Sequence, residues 1–199
     1  MCGIAGFIDL NKALLQPERE AVLHGMNRKL AHRGPDAAEI WFDEQDGVGL
    51  AHRRLSILDV SNAASQPMVS HSGRSVLVFN GEIYNFQKVR ADLEREFGLM
   101  WRSTGDTEVL LEALERWGTA KTLPRLEGMF AFACWDRTLK TLTVGRDRFG
   151  EKPLVLTKTG GLIAFASEIK AFEVLPSWPN ALNQHALAQY LKCGYIPAP

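Results

Sequence analysis

Met1-Cys2-Gly3-Ile4-Ala5-Gly6-Phe7 is the stretch from which the rest of the 199-residue chain is read. Gly3 to Asp9 is a short, mostly apolar strand whose two glycines let neighbouring backbone come close, so Cys2 is held at a strand edge. Initiator methionines are usually removed when the next side chain is small. Cys2 would then begin the mature protein, carrying a nucleophile and a base together. A neutral α-amine with a reference pKa of about 7.7 to 8.0 sits beside a thiol of about 8.5, and can take its proton without a histidine.

Outward from that terminus, the chain is long enough to bury one sizeable core. Its 23 basic and 23 acidic residues cancel, which removes the field that would attract nucleic acid or an anionic membrane surface. No apolar run reaches the roughly 18 residues of a membrane span, and the start lacks a secretory pattern, so a cytoplasmic location is expected. Cys2, Cys134 and Cys193 are odd in number and widely spaced, as reduced thiols would be. Only Cys2 has a reason to be reactive, and Cys134 reads as core. The histidines at 24, 32, 52, 71 and 185 lack metal-ligand spacing, and each reads as solvated or satisfied in the core. Neither GxxxxGK[ST] nor GxGxxG occurs, so nothing here is built for ATP.

A first helix is expected from Pro17, with Val22, Leu23, Met26 and Leu30 on its buried face. Strands follow over Ala37 to Phe42 and Gly47 to His52. A polar loop runs from Ser61 to Ser72, and a strand from Ser75 to Phe79. Val89, Leu93 and Phe97 mark a second helix capped by Asn85. A third starts near Asp106, with Val109, Leu110, Ala113, Leu114 and Trp117 on its apolar face and Gly118 as its stop. Strands over Gly128 to Trp135, Thr141 to Gly145, Pro153 to Thr157 and Leu162 to Ala166, joined by tight turns, should pair antiparallel. The elements together describe a layered α+β domain. From Leu175 onward a helix over about Asn183 to Lys192 and a proline-bearing end read as a linker.

Three constellations each admit two readings. Asn80-Gly81 is locally a hairpin-turn signature, yet the stretch after Glu82 turns helical, and an asparagine amide with a close glycine N–H could hold an oxyanion. Arg54 is a surface charge or a two-pronged grip on a carboxylate. Asp106 is a helix cap or a ligand group. Arg33-Gly34-Pro35-Asp36 and Gly145-Arg146-Asp147-Arg148-Phe149-Gly150 read as turns tied by ion pairs of little individual worth.

These motifs, with His52-Arg53-Arg54-Leu55-Ser56-Ile57, Gly105-Asp106-Thr107-Glu108 and Phe165-Ala166-Ser167-Glu168-Ile169-Lys170, occur in an order that resembles the N-terminal glutaminase domain of glutamine-hydrolysing asparagine synthetases. Those are class II, N-terminal-nucleophile amidotransferases. The resemblance implies a four-layer αββα sandwich of two antiparallel sheets, a glutaminase domain over 1–175, and a helix and linker over 176–199 toward a C-terminal synthetase domain missing from this chain. It makes Cys2 the nucleophile, with Asn80 and Gly81 as the oxyanion hole. Arg54 would clamp the α-carboxylate of L-glutamine, Glu82 and Asp106 would receive its α-ammonium, and Leu55, Ile57 and Leu58 would wall the pocket. No metal or cofactor is expected here, ATP and magnesium belonging to the synthetase half; a homodimer is possible. Lys152-Pro153-Leu154-Val155 departs from the family pattern, which more often has aromatic residues after the proline. Other readings are an amidotransferase serving a different acceptor, or a silent glutamine-binding scaffold if Met1 stays.

Overall fold

A computed structural model of the protein describes residues 1–55, 64–179 and 181–197. The strands are β1 (Gly3–Asp9), β2 (Ala37–Asp43), β3 (Val48–Arg54), β4 (Met68–Val69), β5 (Ser75–Ile83), β6 (Gly128–Asp136), β7 (Thr141–Arg146), β8 (Val155–Thr159) and β9 (Leu162–Ala166). The helices are α1 (Gln16–Lys29), α2 (Phe86–Phe97), α3 (Asp106–Trp117), a short α4 (Thr119–Thr122) and α5 (Gln184–Cys193). A 3-10 segment over Ile169–Val174 packs on α1. The described strands form two sheets, ordered β2-β3-β1-β9-β8 and β4-β5-β6-β7, with every pair antiparallel.

Strand periodicity builds the layers. Because successive side chains point to opposite faces, Ile4, Val48, Leu50, Val76, Val78, Ala131, Ala133, Trp135 and Phe165 meet between the two sheets. The outer face of the first sheet packs Phe7 and Ala164 against Leu23 and Met26 of α1 and Phe172 of the 3-10 segment. On the other side Leu77, Phe79 and Phe132 pack against Val89 and Leu93 of α2 and Val109, Leu110 and Leu114 of α3. The result is the expected four-layer αββα sandwich. Gly6 permits one close approach in it: a Cβ there would sit 2.5 Å from the Gly49 carbonyl and 2.6 Å from the Phe165 ring.

Several local expectations are corrected. The Asn80-Gly81 pair makes no turn: β5 continues to Ile83, with Asn80 opposite Ala131 and Gly81 opposite Phe130. A partner strand nine residues long overrules the local dipeptide preference. β8 begins at Val155 rather than Pro153, consistent with the missing N–H of proline. The segment expected to be loop contains β4, paired with β5 through Met68 opposite Leu77. Phe97, the last residue of α2, is 42% exposed, with the Arg116 guanidinium of α3 over its ring at 5.8 Å. Asn85 occupies the N-cap position of α2 without a capping bond; its side chain instead donates to the Arg125 carbonyl and accepts from Glu127 N–H. Gly118 ends α3 as expected, with φ at 76°. Cys134 lies in the core, where burial and the nearby Asp136 and Glu115 charges push its thiol up to about 12. The α5 helix, capped by Asn183, buries none of its residues.

Candidate active site

β1 is the third of five strands, so Cys2, just ahead of it, stands at the end of the sheet's central strand. Two contacts fix the residue. Leu55 N–H donates to Sγ at 3.4 Å, and the thiol donates to the Leu55 carbonyl at 3.6 Å. The Cys2 carbonyl accepts from Arg33 Nε at 2.9 Å, while Arg33 Nη1 donates to Glu168 Oε1 at 2.8 Å. Against the desolvation that would raise it, hydrogen bonds from Arg33, His32 and Lys170 hold the Glu168 carboxyl down at about 2. Arg33 therefore helps hold Cys2 in place, beyond the tied turn that its sequence suggested.

The inter-sheet layer changes character at this end. In β3 the residues two and four beyond Leu50 are His52 and Arg54, and in β5 those two and four beyond Val78 are Asn80 and Glu82, so four polar side chains continue the apolar inter-sheet face. They line a cavity of about 110 Å³ with Cys2, Leu55, Gly81, Asp106, Lys152 and Met1. The pocket thus brings together every predicted site residue among the described ones. Ile57 and Leu58 lie outside the described residues.

The backbone of β5 supplies the donor geometry. Phe79 N–H donates to Gln66 Oε1 at 2.6 Å and Ile83 N–H to Asp106 Oδ2 at 2.9 Å, both on the side away from β6. Gly81 lies midway, with the same strand phase. Its partner Phe130 commits both backbone groups to Asp147, accepting from Asp147 N–H at 2.8 Å and donating to Asp147 Oδ2 at 3.2 Å. The Gly81 N–H therefore points away from β6, and β4 has already ended, at the pairing of Met68 with Leu77. Only glycine fits, since a Cβ would lie 2.4 Å from the Met129 carbonyl. Beside it the Asn80 amide is buried, and its Nδ2 has no hydrogen-bond partner among the described residues. An unmet amide donor next to an outward N–H is the condition that an oxyanion completes.

Asp106 is not a cap. Gly105 holds the N-cap position of α3, and Asp106, first in the helix, ties it to β5 through Ile83. Burial pushes its carboxyl up; the Ile83 N–H opposes this, and the Glu82 charge adds to it. Two carboxylates facing one cavity are relieved by a cation between them, and an α-ammonium has that charge. Arg54, opposite Ala37 in the β2–β3 register, is buried on the far side of the same layer.

Three lining residues escaped the sequence reading. His52 is neither solvated nor fully satisfied: its Nε2 lacks a partner among the described residues, and burial, with the Arg54 charge, lowers its pKa to about 3 against a bond to the Phe79 backbone. Its position two residues before Arg54, on the same strand face, was the available signal. Gln66 bridges Phe79 and Thr107 Oγ1. Lys152, buried behind a turn, had no periodic signal. Among the described residues no cluster of three His, Cys, Asp or Glu could hold a metal, and no helix is long and apolar enough to cross a membrane.

Two antiparallel sheets between helices, with a cysteine thiol, a buried asparagine amide beside a glycine, an arginine and two carboxylates around a cavity at one end, define a layered α+β domain with a polar pocket. The comparisons with known proteins make the class specific: a family model for the glutamine amidotransferase domain matches residues 1–199, and the chain belongs to that family. It is 37% identical over 199 residues to asparagine synthetase [glutamine-hydrolyzing] 1 of Bacillus subtilis, covering 100% of this chain and 30% of that protein. It is 36% identical over 188 residues to the amidase chry2 of Gibberella zeae, covering 89% of this chain and 28% of that protein. Among solved structures, the glutamine phosphoribosylpyrophosphate amidotransferase of B. subtilis superposes with a TM-score of 0.68 at 23% identity, over 87% of this chain and 43% of that one. The last likeness concerns the fold. The chain spans under a third of the length of both sequence relatives named, and the family implies glutamine as substrate.

Proposed function

We propose that this domain, once Met1 is removed, hydrolyses L-glutamine to L-glutamate and ammonia. One observation carries the reading: Cys2, the Asn80–Gly81 donor pair, Arg54 and the Glu82–Asp106 carboxylates all line one cavity. Arg54 grips the α-carboxylate and the two carboxylates the α-ammonium, which leaves the side-chain amide toward Cys2. The thiol passes its proton to the α-amine as sulfur attacks the amide carbon, and the oxygen's charge falls to Asn80 Nδ2 and Gly81 N–H. The amine returns the proton to the departing nitrogen, the C–N bond breaks and ammonia leaves a thioester. Water, activated by the same amine, releases glutamate and restores the thiol. In the same reading, residues 1–175 form this domain, 176–199 lead toward an ATP-dependent synthetase domain outside this chain, and that domain receives the ammonia. Similarity to asparagine synthetases along the whole chain supports that acceptor.

A second reading has its own observation. Met1 lines the cavity, and while it remains the Cys2 amine is locked in a peptide bond. Such a form would bind glutamine silently. Intact mass with and without aminopeptidase treatment, paired with glutamate release from glutamine, separates the two. Turnover should appear only with the Met1-free protein and vanish in Cys2→Ala; equal rates for Cys2→Ala and the parent protein refute the mechanism.

A further inference from the structure

Lys152 is a charged cavity residue for which the proposed chemistry has no use, and its placement is the work of a turn that otherwise looks merely structural. Asp147 accepts four backbone N–H groups: Phe130 at 3.2 Å, Phe149 at 3.1 Å, Glu151 at 2.9 Å and Lys152 at 3.1 Å. Against desolvation that would raise it, those donors hold the carboxyl below its ordinary range, so it stays an anion and keeps the turn wound at neutral pH. One carboxylate therefore joins the backbone of Lys152 to Phe130, the residue opposite Gly81. Lys152 as a whole residue is 8% exposed, and it lines the cavity with Cys2, Asn80 and Gly81. Among the described residues its ammonium has no hydrogen-bond or ion-pair partner. A cation that opens onto a cavity with no partner of its own favours negative charge that arrives beside it.

Charge counting says what arrives. Glutamine brings one negative and one positive end; Arg54 answers the first, and the Glu82–Asp106 pair answers the second with one negative charge to spare. The reaction adds a further negative charge on the same side of the balance, first on the Cys2 sulfur and then on the tetrahedral oxygen. We propose that Lys152 is a further catalytic residue of this site, its ammonium supplying the positive charge for the Cys2 thiolate and the tetrahedral species while Arg54 holds the substrate's carboxylate. The other charged or titratable groups about the thiol are Arg33 at the Cys2 carbonyl, His52 and Arg54 from β3, Glu82 from β5, Asp106 from α3 and the terminal amine itself. The two carboxylates oppose a thiolate, and Lys152 offsets them from the turn side.

The inference rests on the glutaminase reading, and its test separates the two. Met1-free protein, Lys152→Met and Lys152→Arg are compared by the pH dependence of Cys2 alkylation with iodoacetamide, in which sulfur displaces iodide, and by kcat and KM for glutamine. The methionine variant should move the alkylation midpoint up by about one pH unit and lower kcat by roughly tenfold, the factor equivalent to one such unit. KM should hold within about twofold and the arginine variant should recover most of the rate. An unchanged midpoint and kcat overturn the proposal, and so does a raised KM at unchanged kcat, which would make Lys152 a carboxylate grip. A parent midpoint at or above about 8.5 overturns it without any variant, so a variant that fails to fold leaves it exposed to refutation. If the parent hydrolyses no glutamine but the midpoint still shifts, the glutaminase reading fails and the role of Lys152 on the thiolate stands.

Discussion

Replacing Asn80 by alanine should separate activity from stability, with opposite pressures on the two. Among the described residues the buried amide has no partner for Nδ2, a state that costs the fold about 1 to 3 kcal/mol of uncompensated desolvation. Alanine removes that penalty and leaves a void of a few atoms, whose cost of roughly 1 kcal/mol is of the same size and opposite sign. The melting temperature should therefore stay within about 4 °C of the parent. Turnover should respond differently, because the donor is used only when charge develops on the substrate oxygen. Loss of one such donor costs roughly 2.7 to 4 kcal/mol, or about 100- to 1,000-fold in kcat, with KM nearly unchanged. Steady-state glutamate release and a thermal melt on the same Met1-free preparation measure both. A kcat within threefold of the parent would remove Asn80 from the oxyanion hole; a large drop in melting temperature would show that the amide is a structural group whose partner the donor geometry misassigns.

Gly81→Ala should instead lower both quantities, since its Cβ meets the Met129 carbonyl at 2.4 Å and β5 must shift against β6; about 1 to 3 kcal/mol of stability should be lost on urea unfolding, and a well-folded, fully active variant would contradict the packing. Arg54→Ala should raise KM for glutamine by roughly 10- to 100-fold, the worth of a charged hydrogen bond of about 1.5 to 3 kcal/mol, at nearly constant kcat; a change confined to kcat would move Arg54 from substrate binding to chemistry. Away from the site, Glu108 accepts from Ser103 N–H, Ser103 Oγ, His71 Nε2 and Arg102 N–H, and these donors overcome desolvation to hold its pKa at about 2, below the ordinary 4.5. A depressed carboxyl contributes stability that is present above about 4.5 and lost as pH falls toward 2. Glu108→Gln should thus cost on the order of 3 kcal/mol at pH 7, a gap that closes between those pH values. The slope from His52, falling from 6.5 toward about 3, is common to both proteins and cancels; a gap as wide at pH 2.5 as at pH 7 would refute the network.

How much of this was legible in the sequence depends on which physical signal each part left. Strand alternation and helix faces placed β1, β3, β6, α1 and α3 because burial on one side leaves a period that reads directly. Asn80-Gly81 misled because a dipeptide reports only local turn preference, whereas β5 is held straight by a neighbour some fifty residues away, Phe130 opposite Gly81. Yet the pocket itself was written in the same alternation. In β1 the inter-sheet phase runs back from Ile4 to Cys2; in β3 it runs from Val48 and Leu50 to His52 and Arg54, and in β5 from Val76 and Val78 to Asn80 and Glu82. Three strands keep their period and exchange apolar for polar at one end of the layer. A polar residue in core phase is costly unless water or a ligand meets it, so the coincidence of three such switches locates a cavity before any motif is consulted. Lys152 could not be found this way, because no strand carries it and the carboxylate that aims it, Asp147, acts through four backbone N–H groups that leave no pattern in side-chain chemistry. Periodicity reveals where a fold fails to close its core, and only the backbone hydrogen bonds reveal what is turned in to fill the gap.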